Sequence, residues 1–533
     1  MEKSKILKNK YYLYATEFFA GMSVMAVELG ASRLLAPYFS SSQIVWTIII
    51  GTIMIAMALG NIWGGKSADK NPNPDKLYMR LIIAAVWIAA IPVAGKYIIL
   101  GIGALLVFTV NNNLLIWAAF LACMVIFVFP LFLLGTVTPS LVKYTVNSLD
   151  SSGSTVGTLG AFNTIGSIIG TFVPTFVTIP AVGTSVTFLI FSGILLALGL
   201  IYFLSTRRKL RKCSVGAAVF VLCIILGNSS SFAFWESGLV YEGESIYNYL
   251  QVKENEDRVI LSTNAFLGVQ SVMEKSGRLT GMYYDYALAA PVMAGVSEKE
   301  NADILILGMG TGTFAGQCRK YFGNVAVEGV EIDEKITDLA VKYFRLPDSV
   351  KVTTYDGRAY LGAVDKKYDV IMVDAYQDIT IPFQMSSVEF FTMVRDHLTE
   401  DGVMVVNMNM YSDKDGNINQ YLSDTIAAVF DAVYTVDVSG STNREVFAVR
   451  DGRVMEDFSL RVRALENAEL RDLLDMVNAR MEKYEQGSYL LTDDKAPVEL
   501  LGMEVIDEII RDEIGYYRNV FKEEGVRGLL DTL

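Results

Sequence analysis

The stretch that decides the fold is Asp303-Ile304-Leu305-Ile306-Leu307-Gly308-Met309-Gly310-Thr311-Gly312. It begins with a short, mostly apolar run that is typical of a buried strand, and glycine then occupies every second position. Glycine allows the backbone to turn sharply and to approach a ligand closely. The stretch therefore predicts a strand, a glycine-rich turn and a helix, which together open a Rossmann-like α/β domain.

Acidic residues follow the next two predicted strands. The strand at residues 325–330 ends at Glu331, 21 residues beyond Gly310, where a carboxylate can accept both hydroxyl groups of a ribose. A third strand ends near Asp356 and Gly357, beside the same cleft, where the amino group of an adenine would lie. The two acids and the glycine turn together predict a nucleoside site.

A fourth predicted strand, Tyr368–Val373, places Asp374 at the carboxyl edge of the sheet. Ligands of open α/β sheets bind at that edge. Four features in register favour a nucleoside site over an α/β domain with incidental acids at its strand ends. The glycines expected beside the nucleoside are Gly308, Gly310 and Gly312.

The two parts of the chain differ in composition. The mean hydropathy of +0.36 is high for a wholly soluble protein, and apolar runs of membrane-spanning length fill roughly the first 230 residues. We predict about seven spans, with six or eight as alternatives. The expected spans are residues 14–35, 44–63, 81–110, 114–134, 156–180, 186–204 and 215–226. Glycines at positions 153, 157, 160, 166 and 170 would let helices approach closely.

These patterns predict three segments. Residues 1–232 form an all-α, multi-pass transmembrane domain in a lipid bilayer, and residues 233–295 form a small antiparallel β region with short alternating runs. Residues 296–533 form the Rossmann-like, nucleoside-binding catalytic domain, and the acidic segment 458–484 is expected to be an amphipathic helix that could mediate a homodimer.

Charge, cysteine and histidine usage narrow the function classes. The net charge of −13 argues against nucleic acid as a partner and favours a cationic small molecule. The four cysteines show no paired spacing, and His397 is expected at a helix end in a structural role. The sequence therefore predicts no disulfide framework, no metal site and no serine-histidine catalysis.

Several motifs between Ile304 and Asn407 together fit the sequence pattern of one enzyme family. They are Val330-Glu331-Ile332-Asp333, Tyr343-Phe344, Tyr355-Asp356-Gly357-Arg358-Ala359-Tyr360-Leu361, Asp374-Ala375-Tyr376-Gln377-Asp378-Ile379-Thr380-Ile381-Pro382 and Glu389-Phe390-Phe391. This region resembles the spermidine synthase (polyamine aminopropyltransferase) family, an offshoot of the class I methyltransferase fold. The whole chain is similar to bacterial proteins in which a multi-span membrane domain is fused to a spermidine synthase domain.

The resemblance implies a transferase that moves an aminopropyl group from decarboxylated S-adenosylmethionine, as co-substrate, to putrescine or a related amine. Methylthioadenosine leaves, and no metal is required because a sulfonium leaving group needs no Lewis acid. Asp374 would be the general base. The residues implied to bind the donor are Gln251, Gly308, Gly310, Gly312, Glu331, Asp356 and Gly357, and those implied to bind the acceptor are Tyr284, Tyr376 and Asp378.

The sequence departs from the family pattern at two places. Thr311 stands where the glycine turn usually carries an aspartate that contacts the aminopropyl part of the donor. The segment Leu279-Thr280-Gly281 stands where an acidic pair is usual. Acidic residues that could compensate are Asp378, Asp493 and Asp494.

Two other functions stay open. One is an S-adenosylmethionine-dependent methyltransferase, which the shared fold allows. The other is a non-catalytic membrane sensor or transporter that binds a polyamine or a nucleoside.

We expect the protein in the cell membrane, with its catalytic domain on the cytoplasmic side. Basic residues at the N-terminus, at residues 66–80 and at residues 207–212 would all lie in the cytoplasm. A complete span after Lys212 would place the catalytic domain outside, whereas a re-entrant or interfacial segment would keep it inside. We favour the cytoplasm because adenosyl donors are made there.

Overall fold

The structure is a computed structural model that describes residues 5–39, 42–107, 110, 113–145, 152–227, 231–236, 238–263, 269–323, 325–375, 381–409, 414–508, 511, 515, 516, 519 and 523. The chain divides into two compact units. The first comprises Met1–Glu236 with Gly243–Tyr249, and the second comprises Ser237–Glu242 with Leu250–Leu533.

The first unit is built from long helices. A helix satisfies all of its backbone hydrogen bonds internally, which makes it a form that an apolar segment can adopt in a bilayer. Six helical stretches of the described residues are long and apolar enough to cross a membrane. The helices are α1 (Lys10–Phe39), α2 (Gln43–Lys70), α3 (Pro74–Val107), α4 (Leu114–Gly135), α5 (Val137–Thr145), α6 (Ser152–Val173), α7 (Ile179–Thr206) and α8 (Leu210–Gly227).

One of these stretches, Ser152–Thr206, has 55 residues and contains both α6 and α7. A π-helical turn at Pro174–Thr178 joins the two helices, and Gly183 interrupts α7 with a φ of 80°. As a straight helix the stretch would measure roughly 80 Å, whereas the hydrocarbon core of a bilayer is about 30 Å thick. Its length therefore suits two crossings, and the total of about seven spans stays a prediction.

Two glycines bring α6 against α1. A Cβ atom at Gly166 would lie 2.0 Å from the carbonyl oxygen of Phe18, and one at Gly170 would lie 2.1 Å from that of Met22. Small residues at these positions allow the two backbones to approach closely, as predicted. By contrast, a Cβ atom at positions 153, 157 or 160 would meet nothing within 4 Å.

A buried carboxylate on α1 also links helices of the first unit. Glu17 is fully buried, and its Oε1 accepts hydrogen bonds from Thr138 Oγ1 at 2.5 Å and from Asn163 Nδ2 at 2.8 Å. Thr138 lies on α5 and Asn163 on α6, so one side chain holds three helices together. Polar contacts of this kind stabilise helix packing in an apolar environment.

The second unit opens with a four-stranded sheet in the order β1, β2, β3, β4. Its apolar residues alternate along the strands, and Leu250, Val252 and Leu261 pack with Leu339. Because alternate residues point to one face, these side chains cover a single face of the sheet. The strands are β1 (Leu239–Glu244), β2 (Tyr249–Glu254), β3 (Arg258–Ser262) and β4 (Ser271–Glu274).

An eight-stranded mixed sheet forms the centre of the second unit, in the order β12, β10, β11, β9, β8, β5, β6, β7. Strands β5 to β9 pair in parallel, whereas β9, β11, β10 and β12 pair antiparallel. The strands are β5 (Asp303–Leu307), β6 (Ala326–Glu331), β7 (Lys351–Thr354), β8 (Tyr368–Val373), β9 (Leu398–Met408), β10 (Ala432–Asp437), β11 (Arg444–Val449) and β12 (Glu482–Lys483).

Helices lie between these strands. They are α9 (Tyr283–Ala287), α10 (Ala289–Met293), α11 (Thr313–Phe322), α12 (Glu334–Tyr343), α13 (Gly357–Ala363), α14 (Val388–Asp396), α15 (Ile418–Ala427), α16 (Val454–Arg463) and α17 (Ala468–Arg480). Apolar residues of α9, α10, α11, α16 and α17 pack in one core with strands of the large sheet, whereas those of α12 pack with the four-stranded sheet. The predicted fold class is confirmed: apolar helices first, then a small antiparallel sheet, then a Rossmann-like α/β domain.

Two predictions about local structure have different outcomes. His397 lies at the C-terminal end of α14, where its ring nitrogens lie 2.8 Å from the carbonyl oxygen of Met393 and 3.0 Å from that of Val364. Its structural role is confirmed. The acidic segment 458–484 is not a single helix, because α16 ends at Arg463 and Asn467 caps a new helix by accepting a hydrogen bond from the N–H of Leu470.

Candidate active site

The glycine turn follows β5 as predicted, and its backbone requires glycine. Gly308 has a φ of +81°, and its N–H donates to the carbonyl oxygen of Val330 at 2.9 Å. A Cβ atom at Gly308 would lie 2.6 Å from the Cα of Ala375. Gly310 and Gly312 also have positive φ angles of +56° and +78°, and Gly312 is the N-cap of α11. Side chains rarely adopt such angles, so the turn explains all three glycines.

Glu331 ends β6 directly beside this turn. Its Oε2 accepts a hydrogen bond from the N–H of Gly310 at 2.9 Å, and its Oε1 accepts one from the N–H of Asp333 at 3.0 Å. The side chain is buried, and burial raises the pKa of Glu331 to about 7 although these N–H donors oppose the shift. A carboxyl is therefore fixed beside the glycine turn, where the sequence predicted it.

Asp374 follows β8 at the same edge of the sheet, since β8 pairs in parallel with β5. Its Oδ2 accepts a hydrogen bond from the Tyr283 hydroxyl at 2.7 Å, and its Oδ1 accepts one from Asn407 Nδ2 at 3.0 Å. Burial raises the pKa of Asp374 to about 7; the two hydrogen bonds oppose this, and the charge of Glu331 adds to it. The carboxyl is oriented on both oxygens and is poised to exchange a proton near neutral pH.

The tyrosine that contacts Asp374 is Tyr283, which the sequence analysis did not single out as a site residue. Its neighbour Tyr284 is also buried, but its hydroxyl donates to the carbonyl oxygen of Gln270 and accepts from the N–H of Val272, each at 3.2 Å. The two rings lie side by side with centroids 4.0 Å apart, and Tyr283 makes the direct hydrogen bond to Asp374. Burial and the nearby Asp374 raise the pKa of Tyr283, so the phenol stays protonated and donates a hydrogen bond to Asp374.

Asn407 is the second site residue that sequence reasoning missed. It lies near the end of β9, the strand next to β8, and its Oδ1 accepts a hydrogen bond from Asn443 Nδ2 at 2.8 Å. This contact turns the NH₂ group of Asn407 toward Asp374. The same rule that identified Asp374, a polar residue at a strand end in an apolar run, could have found Asn407.

The other predicted donor residues lie on two different elements. Asp356 caps α13, where its Oδ1 accepts from the N–H of Ala359 at 2.8 Å, and Gly357 begins that helix. Gln251 is buried on β2, opposite Ser262. Tyr376 and Asp378, which were predicted to bind the acceptor, lie outside the described residues.

Thr311 and Asp493 bear on the departures from the family pattern. Thr311 is buried, and its N–H donates to Ser271 Oγ at 3.4 Å. Asp493 forms two hydrogen bonds with the guanidinium of Arg358, at 2.7 and 2.6 Å, and accepts a third from Ser387 Oγ at 2.6 Å. These contacts hold the Asp493 carboxylate in place, and its suggested compensation for the departures from the family pattern stays a prediction.

Comparison with known proteins places this site in a family. Residues 286–438 match the spermine/spermidine synthase domain. A probable polyamine aminopropyl transferase of Bifidobacterium longum is 56% identical over 349 residues, which cover 62% of this chain and 77% of the relative. The chain belongs to the polyamine aminopropyltransferase family. It is accordingly a transferase.

More distant members of the family also align. The polyamine aminopropyltransferase of Vibrio vulnificus is 26% identical over 241 residues, which cover 44% of this chain and 79% of that relative. A solved spermidine synthase from Thermotoga maritima is 20% identical and covers 45% of this chain and 87% of its own, with a TM-score of 0.35. The matched domain of this aminopropyltransferase-family chain contains Glu331, Asp374 and Asn407, whereas Tyr283 precedes it.

Proposed function

We propose that the chain transfers an aminopropyl group from decarboxylated S-adenosylmethionine to putrescine or a related amine and releases methylthioadenosine. The observation that supports this reaction best is the half-buried Asp374 carboxyl, oriented by Tyr283 and Asn407 and with its pKa raised to about 7. Such a group can take a proton from an amine as that amine attacks.

The donor would lie on the side of Asp374 that carries the glycine turn. Glu331 would accept the ribose hydroxyls, because its oxygens already face the turn through the N–H of Gly310. Asp356 uses Oδ1 to cap α13, so its other oxygen would accept the adenine amino group. The proposed donor-binding residues are Gln251, Gly308, Gly310, Gly312, Glu331, Asp356 and Gly357.

In the reaction, the amine nitrogen forms a bond to the carbon beside the sulfonium. The bond from that carbon to sulfur breaks, and its electron pair stays on sulfur as the neutral thioether of methylthioadenosine. The proton lost by the amine goes to Asp374. Transfer from an amine of pKa about 10 to an ordinary aspartate of pKa about 4 costs roughly 8 kcal/mol. With the pKa of Asp374 at about 7, the cost falls to roughly 4 kcal/mol.

On the acceptor side, Tyr283 would orient the nucleophilic nitrogen indirectly, because it fixes the carboxylate that receives the proton. Tyr284 would contribute its ring to the wall of the site, since the β4 backbone binds its hydroxyl. Tyr376 and Asp378 complete the proposed acceptor-binding set. The chemistry proposed here uses no metal ion and no further cofactor.

The first test is to incubate the detergent-purified protein with decarboxylated S-adenosylmethionine and a panel of diamines, and to quantify methylthioadenosine by mass spectrometry. Formation of methylthioadenosine that depends on both the amine and Asp374 supports the proposal. A parallel reaction with S-adenosylmethionine tests methyl transfer, which Thr311 favours as the second candidate. Formation of S-adenosylhomocysteine in place of methylthioadenosine would establish that alternative, and nucleoside binding without either product would indicate a sensor.

We also propose that residues 1–232 span the cell membrane and that residues 233–295 and 296–533 form a cytoplasmic catalytic part, which could pair as a homodimer. The native cysteines are all buried, so a cysteine introduced at the exposed Ser276 would be the reactive thiol of the described residues. An impermeant maleimide should label Ser276→Cys in inverted membrane vesicles and not in intact cells. The reverse result would place the catalytic part outside.

A further inference from the structure

A second carboxyl lies buried near Asp374 and takes no part in the chemistry described above. Glu445 on β11 has a relative exposure of 0%, and neither of its carboxyl oxygens has a hydrogen-bond partner among the residues that the structure describes. Burial and the nearby Asp374 raise the pKa of Glu445 well above its ordinary value. A buried carboxyl without donors is costly for a fold, so a bound ligand with N–H groups would relieve a real deficit.

Strand register places Glu445 in one row with the reacting carboxyl. Glu445 pairs directly with Asn407 across β11 and β9, and Asn407 Nδ2 donates to Asp374 Oδ1 at 3.0 Å. Three neighbouring strands therefore present Glu445, Asn407 and Asp374 side by side. Since adjacent strands lie about 4.8 Å apart, the backbones at the two carboxyls are roughly 10 Å apart. A short alkyl chain can bridge that distance between two side chains that extend into the same space.

The order of the strands separates Glu445 from the proposed nucleoside position. The sheet runs β11, β9, β8, β5, β6, so the glycine turn after β5 and Glu331 on β6 lie on one side of Asp374. Glu445 lies on the other side. Alternation along β11 puts Glu445 on the same face as Phe447, which packs in one cluster with Tyr283. Glu445 and the tyrosine partner of Asp374 thus share one face of the sheet, beyond the donor.

We infer that Glu445 binds the second, non-reacting ammonium group of a diamine acceptor. This inference rests on the proposed aminopropyl transfer and deepens it by naming a residue that would select a diamine over a monoamine. One nitrogen of the diamine would lie at Asp374 and react, while the other would donate its N–H groups to the two Glu445 oxygens. An ammonium group carries three donors and a full positive charge, so it would satisfy both oxygens and favour the ionised form of the carboxyl. A monoamine would leave the Glu445 carboxyl without these hydrogen-bond donors.

The test compares putrescine with n-butylamine, which has the same chain length and a single amine. Initial rates of methylthioadenosine release give kcat and KM for each acceptor and for the donor. Glu445→Gln keeps the side-chain size and removes the charge. We expect it to lower kcat/KM for putrescine by roughly 10- to 100-fold, mainly through KM, because a charge-assisted contact is lost. The value for n-butylamine and the KM for the donor should change by less than about threefold.

Two further variants control for structure. Glu445→Met replaces an unpaired buried acid by an apolar residue of similar size, so it should keep or raise the thermal midpoint while losing the preference for putrescine. Glu482→Gln makes the same chemical change at an exposed position on β12 of the same sheet and should alter neither acceptor. Loss of activity with both acceptors in Glu445→Met, at an unchanged midpoint, would contradict the inference.

Failure of this inference differs from failure of the proposed function. If the wild type releases methylthioadenosine and Glu445→Gln keeps the full preference for putrescine, Glu445 does not bind the acceptor. If Glu445→Gln instead raises KM for the donor, Glu445 binds the ammonium group of the donor and not that of the acceptor, and the inference is wrong. If the wild type shows no turnover with any amine, the proposed function fails, and calorimetric titration of putrescine into wild type and Glu445→Gln still decides whether Glu445 binds an ammonium group.

Discussion

Replacing Asp374 by Asn should remove the proton acceptor while leaving the fold intact. The Asn oxygen can still accept from Asn407 Nδ2, and its NH₂ group can donate to the Tyr283 hydroxyl, which can act as an acceptor. An amide cannot take the proton from the acceptor's ammonium group, so it cannot free the nitrogen lone pair for attack. The variant must therefore capture amine that is already neutral in solution.

At a pH of about 7.5, roughly 0.3% of an amine with a pKa of about 10 is neutral, so the variant can use only a small part of the amine in solution. Removal of a general base usually lowers the rate by about 100- to 10,000-fold, and we expect the loss for Asp374→Asn to lie in that range. The residual rate of Asp374→Asn should also rise about tenfold per pH unit toward pH 9 or so, because the neutral amine becomes more abundant.

The assay is methylthioadenosine release at saturating donor over a range of pH, with donor binding measured separately by calorimetry. Asp369→Asn is the matched control, since Asp369 lies at the opposite end of β8 and binds Lys299 Nζ at 2.6 Å and the N–H of Asp303 at 2.9 Å. It should lower the thermal midpoint and keep kcat. An Asp374→Asn rate within about threefold of wild type, with unchanged pH dependence, would refute the role of Asp374 as base.

Three further outcomes follow from the site. Because Asp374 must be ionised to accept a proton and its pKa is raised to about 7, kcat/KM for the wild type should rise roughly tenfold between about pH 6 and 8, as a pH–rate profile would show. Tyr283→Phe removes a hydrogen bond that stabilises the carboxylate, so the rising limb of that profile should move to higher pH, whereas Tyr284→Phe should leave its position unchanged. Gly308→Ala places a Cβ atom 2.6 Å from Ala375 Cα at a φ of +81°, so the activity and the thermal midpoint should both fall. Gly316→Ala is the control, because a Cβ atom at this position of α11 would meet nothing within 4 Å; it should keep the activity and keep the stability or raise it by up to about 1 kcal/mol.

The parts of the site that the sequence predicted are those that local pattern determines. A short apolar strand followed by positive-φ glycines leaves few alternatives, and both Asp303–Leu307 and Tyr368–Val373 have the bounds that the sequence indicated. Glu331 and Asp374 follow because parallel neighbouring strands end at one edge. The residues that pattern could not determine depend on orientation. Tyr283 and Tyr284 are chemically identical, and only the direction of the short helix α9 decides which of them meets Asp374.

Long-range pairing explains the remaining differences. Glu445 looks like an ordinary charged residue in a strand, and only the antiparallel register of β11 with β9 reveals that it lies beside Asn407. Asp493 looks like a possible substrate ligand, but the fold brings Arg358 to it from 135 positions earlier in the chain. In both cases the decisive contact joins elements that are distant in sequence, which no local pattern encodes.

The charges of the site argue for a substrate pair with several positive groups. Asp374, Glu331 and Glu445 are carboxyls with raised pKa values, and no lysine or arginine of the described part of the chain forms an ion pair with any of them. Left without cations, such groups hold protons more readily than ordinary carboxyls do. A sulfonium donor and a diammonium acceptor would bring the missing charges together, and the reaction would then remove one of them as methylthioadenosine becomes neutral. With these proposed substrates, the protein would have its strongest electrostatic reason to hold both of them before the bond forms and a weaker one afterwards, which would favour release of the products.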